Sequence, residues 1–187
     1  MFDLEPAATE LESVLAAITD DQLDATTPCD GISVRALLAH VEMLTEAFRQ
    51  AATKESVGRS QAPRVGDDDT ALSPDWRTLI PARLKALAAA WRDPAAWQGD
   101  TEAGGVTMPA EPMAKVALNE LVVHAWDLAT ATHTPYHPTP ADITLLLDFL
   151  ADTPAEGVPG MFAPVVPLPP TAPPLSQLLA RTGRNPN

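Results

Sequence analysis

Residues 119–132, NELVVHAWDLATAT, set a carboxylate and an imidazole, Glu120 and His124, four positions apart in an otherwise apolar run. Four residues along an α-helix is about 400° of turn and about 6 Å of rise, so both side chains leave nearly the same face and reach one point in space. Val116, Leu121, Val122, Ala125 and Leu128 surround them with a wide apolar stripe, the pattern of a helix that packs into a bundle. An inward-facing carboxylate needs a partner, because burying its charge uncompensated is costly. A salt bridge to the imidazole is one answer, and a metal ion is the other.

The rest of the chain reads as further helices. In EPAATELESVLAAITDDQL, Leu11, Val14, Leu15 and Ile18 fall at helical spacing and the alanines add propensity, predicting a first helix. Pro28 and Gly31 break the pattern, and Ser33 then stands as N-cap of a second helix, VRALLAHVEMLTEAFRQAATK. Leu37, Leu38, Val41, Leu44 and Phe48 form its apolar face, and His40 belongs on or beside that face. The interval ESVGRSQAPRVGDDDTAL is rich in turn formers and predicts a mobile loop, a candidate lid. A third helix is expected from Ser73, with Pro74 in its first turn and Pro81 kinking it or delaying its start. After a glycine-containing connection, a fourth helix over about residues 112–132 carries Glu120 and His124, and a fifth follows Thr139.

From residue 153 onward prolines forbid regular helix, yet Met161, Phe162, Val165, Val166 and Leu168 are too apolar for a free tail. The tail is therefore expected to pack across the bundle, with SQLLAR adding a helical turn or two. No internal repeat, phosphate-binding glycine loop or series of alternating strands interrupts this reading. The fold class is all-α: an up-down bundle over residues 1–152, with an extra C-terminal helix, and a proline-rich tail over 153–187 packed on it as one domain.

Charge narrows the partners. Twenty-five acidic against twelve basic residues give a net charge of −13, which opposes nucleic acid and anionic membrane surfaces and favours a small molecule or another protein. Cys29 is the only cysteine, so no intramolecular disulfide forms. The start MFDLEPAATE lacks the basic and apolar regions of a signal peptide, and no apolar stretch approaches the roughly 20 residues needed to span a bilayer. The expectation is a soluble cytoplasmic protein. Homodimerisation through a helix face is compatible with such a domain, although no stripe demands it.

Four histidines are present. His133 and His137 sit in THTPYHP, which is turn chemistry, and are expected to be exposed. His40, Glu120 and His124 together make a two-histidine, one-carboxylate set that suits Zn²⁺, Ni²⁺ or Fe²⁺ and leaves an open position for water or substrate. The rival reading is a Glu–His helix pair plus an unrelated core histidine, and periodicity alone does not bring the second and fourth helices together.

TPCDGISVRALLAHV, followed at a distance by NELVVHAWDLATAT and ending in LLARTGRNP, resembles the mycothiol-dependent maleylpyruvate isomerase N-terminal domains, especially short actinobacterial relatives predicted to bind metal. The resemblance implies a DinB-like four-helix bundle with a divalent metal, zinc or else nickel, between helices. Position by position, it makes His40 the histidine of the LLAHV helix and Glu120 and His124 the Glu-x-x-x-His pair, and so implies the contact between helices two and four. The sequence departs from the family at Ile32, where tryptophan is usual, and a proline-rich tail stands where the isomerase carries an additional domain. The site carries over, and the substrate does not.

Neighbouring residues have two readings each. Asp127 matches the family's aspartate and orients a ligand imidazole or stays on the solvated face. Trp126 packs or walls a substrate pocket, and Arg184, like Arg181, reaches an anionic substrate or pairs with acidic surface. Cys29 is a reactive thiol or an inert one. Glu42 and Glu46 solvate the second helix or supply a base. The function expected is a metal-dependent transferase or isomerase using a thiol, by resemblance mycothiol, against a small electrophile. The alternatives are a hydrolase using metal-activated water, a non-catalytic binding module for metal or small ligand, and an empty paired site.

Overall fold

The computed structural model describes residues 1–29, 31–60, 71–158 and 162–186. Four long helices, α1 (Glu5–Ala17), α2 (Val34–Thr53), α3 (Trp76–Trp91) and α4 (Ala110–Thr132), pack so that α1 and α2 each contact both α3 and α4. The order around the bundle is therefore α1, α3, α2, α4, which makes α2 and α4 neighbours. Their apolar faces meet in one core containing Leu11, Leu37, Leu38, Leu84, Leu118 and Leu128. Trp91 is also buried there, and its indole N–H donates to the Phe48 carbonyl at 3.1 Å, so its polar edge is satisfied.

Local chemistry explains the boundaries. The Ser33 hydroxyl accepts from the Ala36 N–H at 3.2 Å and starts α2, and Lys54 in the left-handed region (φ 65°) ends it. Helix α3 begins at Trp76 rather than Ser73, and it continues through Pro81 although proline removes one backbone donor. Burial of Ile80, Leu84, Leu87 and Trp91 on both sides of Pro81 offsets that loss. His133 (φ 56°) ends α4, and Thr139 caps α5 (Pro140–Phe149) by accepting from the Asp142 N–H at 3.1 Å.

One element departs from the all-α expectation. Strands β1 (Asp100–Ala103) and β2 (Val106–Pro109) form an antiparallel hairpin closed by Gly104 and Gly105, at φ 56° and 76°. Two adjacent positive φ values are what a type I′ turn requires, and a Gly-Gly pair is the sequence signal for it. The hairpin seals one end of the bundle: the Thr101 hydroxyl donates to the Ala51 carbonyl of α2, and the Ala110 N–H to the Gly99 carbonyl.

Helix α5 lies on α4, and α6 (Pro174–Arg181) lies on α5, with Leu178 entering the common core. The Val166 N–H donates to the Ala180 carbonyl at 3.0 Å, tying the extended part of the tail to α6. After α6 the chain reverses at Gly183 (φ 82°), where a Cβ would stand 2.5 Å from that of Ala163. Only glycine fits that close approach, and the reversal turns Arg184 back toward the bundle. The expected loop at 55–72 falls largely on residues 61–70, and Met161 of the tail likewise lies outside the described residues.

Candidate metal centre

Helix α2 presents His40 toward α4, where Glu120 and His124 stand one turn apart. His124 Nε2 lies 2.9 Å from Glu120 Oε2, and His40 Nε2 lies 3.9 Å from the same oxygen. The two imidazole rings meet edge to face with centroids 5.1 Å apart. One donor atom from each of the three residues lies within 4.8 Å of the other two. Donors about 2.0–2.2 Å from a tetrahedral Zn²⁺ stand roughly 3.4 Å from one another, so small side-chain adjustments suffice for a cation to be shared. Two imidazoles and a carboxylate are also the donor types that zinc and nickel accept. The residues fit the group.

The electrostatics of the pair follow from its burial. Desolvation raises the Glu120 carboxyl, but the charge of His124 and hydrogen bonds from His124 and His40 outweigh it and hold Glu120 well below the usual carboxylate range. Desolvation likewise lowers the His124 imidazolium, yet the Glu120 charge and hydrogen bonding to Asp127, Cys29 and Glu120 push it well above the ordinary histidine value. His124 thus stands between two acidic side chains, with Glu120 at Nε2 and Asp127 at Nδ1.

The second carboxylate is Asp127, fully buried, with Oδ2 3.1 Å from His124 Nδ1. A hydrogen bond there keeps the Nδ1 proton in place and points Nε2 at Glu120. Arg184 secures Asp127 in turn, with Nε 3.3 Å from Oδ1 and Nη2 2.9 Å from Oδ2. Its Nη1 donates to the Thr182 carbonyl at 3.1 Å. The guanidinium is thus engaged inside the protein, and of the two readings of Arg184 the structure shows the pairing with an acidic group, Asp127. Trp126, half-buried, leaves α4 about 200° around from His124, so it does not share the ligand face.

The other candidates lie apart. Arg181 donates to the Leu150 carbonyl at the end of α5. Glu42 accepts from Ser73 and faces Arg83, while Glu46 pairs with Arg49 at 2.8 Å, so neither turns to the histidines. His133 and His137 are exposed and belong to no metal-ligand cluster among the described residues. A 660 Å³ surface cavity between the N-terminus and α5 contains none of the site residues.

Cys29, which the sequence offers as a reactive or an inert thiol, stands beside the site. Its Sγ accepts from Arg184 Nη2 at 3.3 Å, and Cys29, His124 and Asp127 form a second group with donor atoms within 4.8 Å. The turn that positions it is closed by the Thr27 N–H to Ile32 carbonyl bond at 2.9 Å. The sequence signal was position, since Cys29 lies four residues before the Ser33 cap of the His40 helix, within the TPCDG turn.

Comparison with known proteins agrees with the resemblance drawn from the motifs. A family model described as mycothiol maleylpyruvate isomerase N-terminal domain matches residues 4–129. The crystal structure of the mycothiol-dependent maleylpyruvate isomerase is similar in fold, with TM-score 0.57 and 20% identity over 78% of this chain. A histidine-to-alanine mutant of that isomerase matches at 22% identity with the same TM-score and coverage. The chain spans 63% of the length of either structure. No curated protein matches. Among the described residues no helix is long and apolar enough to cross a membrane.

Proposed function

This chain belongs to the mycothiol maleylpyruvate isomerase N-terminal domain family, and from that premise we propose that it is a divalent-metal-dependent transferase or isomerase in which a low-molecular-weight thiol of the mycothiol type acts on a small electrophilic molecule. The cation, Zn²⁺ or else Ni²⁺, is held by His40, Glu120 and His124. One observation carries this reading: donor atoms from helices eighty residues apart converge within 4.8 Å on one side of His124.

The cation supplies a Lewis acid that favours the thiolate of a thiol whose free pKa is about 8.5. The protein's own residues prepare the place for it. Asp127 holds the Nδ1 proton of His124, so Nε2 faces Glu120 and the ligand position. Glu120 contributes the negative charge that offsets a divalent cation in a partly desolvated site. His40, with a third of its side-chain surface exposed, stands at the solvent side, where a thiol and its electrophile approach.

The test is turnover. Protein loaded with Zn²⁺ should turn over a small electrophile in the presence of a small thiol, consuming the thiol where it is transferred and regenerating it where the electrophile is isomerised. Activity should be lost on chelation and in Glu120→Ala. Thiol and ligand binding without turnover would instead make the chain a binding module, and activity indifferent to both chelation and Glu120→Ala would remove the metal from the account.

A further inference from the structure

Two ligand-type clusters share one imidazole. His40 and Glu120 gather on the Nε2 side of His124, and Cys29 and Asp127 gather on its Nδ1 side, each group with donor atoms within 4.8 Å. By donor type the second is the better site for a thiophilic divalent cation, because it offers a thiol, a carboxylate and an imidazole. What distinguishes the two sides is Arg184. A single guanidinium nitrogen, Nη2, lies 2.9 Å from Asp127 Oδ2 and 3.3 Å from Cys29 Sγ, so a fixed positive charge already stands between the two donors. No lysine or arginine pairs with Glu120 or His40 among the described residues.

We infer that Arg184 is the specificity-determining residue of the centre: its guanidinium occupies the cation position on the Cys29–Asp127 side and so confines a divalent metal to His40, Glu120 and the Nε2 atom of His124. Arginine stays protonated at any physiological pH, which makes it a permanent occupant where a lysine could deprotonate. Its repulsion of a second cation is strong because the side chain is only 12% exposed. The chain supplies Arg184 through the Gly183 reversal, where close contact with Ala163 leaves no room for a Cβ, and through the Arg184 N–H bond to the Leu179 carbonyl at 3.0 Å. The C-terminal segment thereby selects the ligand set of a centre otherwise built from α2 and α4.

This inference rests on the proposed cation, and Co²⁺ separates the two, because a cobalt–thiolate bond gives an ultraviolet charge-transfer absorption that nitrogen and oxygen ligands do not. Untagged parent protein, Arg184→Met, Arg184→Gln and each of these with Cys29→Ser are titrated with Co²⁺. Arg184→Gln keeps an N–H donor for Asp127 and serves if Arg184→Met fails to fold. The parent should bind Co²⁺ with no thiolate band, the two arginine variants should gain the band, and Cys29→Ser should abolish it. A folded arginine variant that binds Co²⁺ without the band overturns the inference and leaves the proposed function standing, as does a parent that already shows the band. If only the arginine variants bind Co²⁺, the proposed ligand set fails and the exclusion by Arg184 stands. If neither parent nor variants bind, both fail.

Discussion

His124 Nε2 and Glu120 Oε2 stand 2.9 Å apart across one turn of α4, while Nδ1 of the same ring stands 3.1 Å from Asp127. One imidazole is thus gripped at both nitrogens, and its orientation is fixed before any ligand arrives. That rigidity separates this pair from an exposed i,i+4 ion pair, worth only about 0.3–0.5 kcal/mol.

Removing Glu120 leaves His124 with Asp127 as its remaining carboxylate partner. Glu120→Ala is expected to abolish metal binding and to destabilise the fold by less than the roughly 3–5 kcal/mol typical of breaking a fully buried pair, since the Glu120 side chain keeps 22% of its surface in solvent. Urea unfolding of both proteins, metal-free, measures the second quantity. A Glu120→Ala variant as stable as the parent would mean that the pair contributes nothing.

Asp127 and Arg184 act as a unit. Asp127→Asn should weaken metal affinity about 10- to 100-fold through loss of the carboxylate charge at Nδ1, and it should also leave the Arg184 charge without this counter-charge in a site where it is 12% exposed. The double variant Asp127→Asn, Arg184→Gln is expected to lose less stability than the sum of the single changes. Strict additivity in a double-mutant cycle would contradict a direct coupling.

A bound cation should report on stability as well. At a free concentration one hundred times its dissociation constant, Zn²⁺ is expected to stabilise the parent by about 2.7 kcal/mol, a rise of roughly 5–11 °C in Tm for a chain of this size. His40→Ala should show no such rise in the same thermal scan. An equal rise in both would place the binding elsewhere.

Away from the centre, Glu102 ties the hairpin to the segment after α2. Its carboxylate accepts from the Ser60 hydroxyl, from the Gly58 N–H at 2.6 Å and from the Ser60 N–H at 3.0 Å, and these bonds hold its pKa below the usual carboxylate range. A depressed pKa means that its stabilisation is fully present above the unfolded value and is lost as pH falls through the folded value. Glu102→Gln should therefore lower Tm at neutral pH, and the difference from the parent should shrink at about pH 3. A difference that grows on acidification would reverse the sign and reject the argument.

Much of the bundle was legible because its signals are local. Ser33 and Thr139 mark helix starts through their own caps, and the four-residue spacing of Glu120 and His124 states their common face without reference to anything distant. The hairpin was missed although Gly104–Gly105 signals it, since four-residue strands are too short for alternation to register. The approach of His40 to α4 came only from family resemblance, because no periodicity encodes which helices touch. Least legible was the Cys29–Arg184 contact, which joins residues 155 positions apart through the reversal at Gly183. Each of those residues had an ordinary surface or packing reading, and only the folded tail brings them to one side of His124.

The most direct measurement is elemental analysis of untagged protein beside His40→Ala and Glu120→Ala, each exposed to micromolar Zn²⁺ or Ni²⁺ and then freed of excess. The account predicts a stoichiometric divalent metal in the parent and its loss from both variants. A folded parent that carries none and takes none up, or variants that retain it in full, would contradict a metal centre on His40, Glu120 and His124.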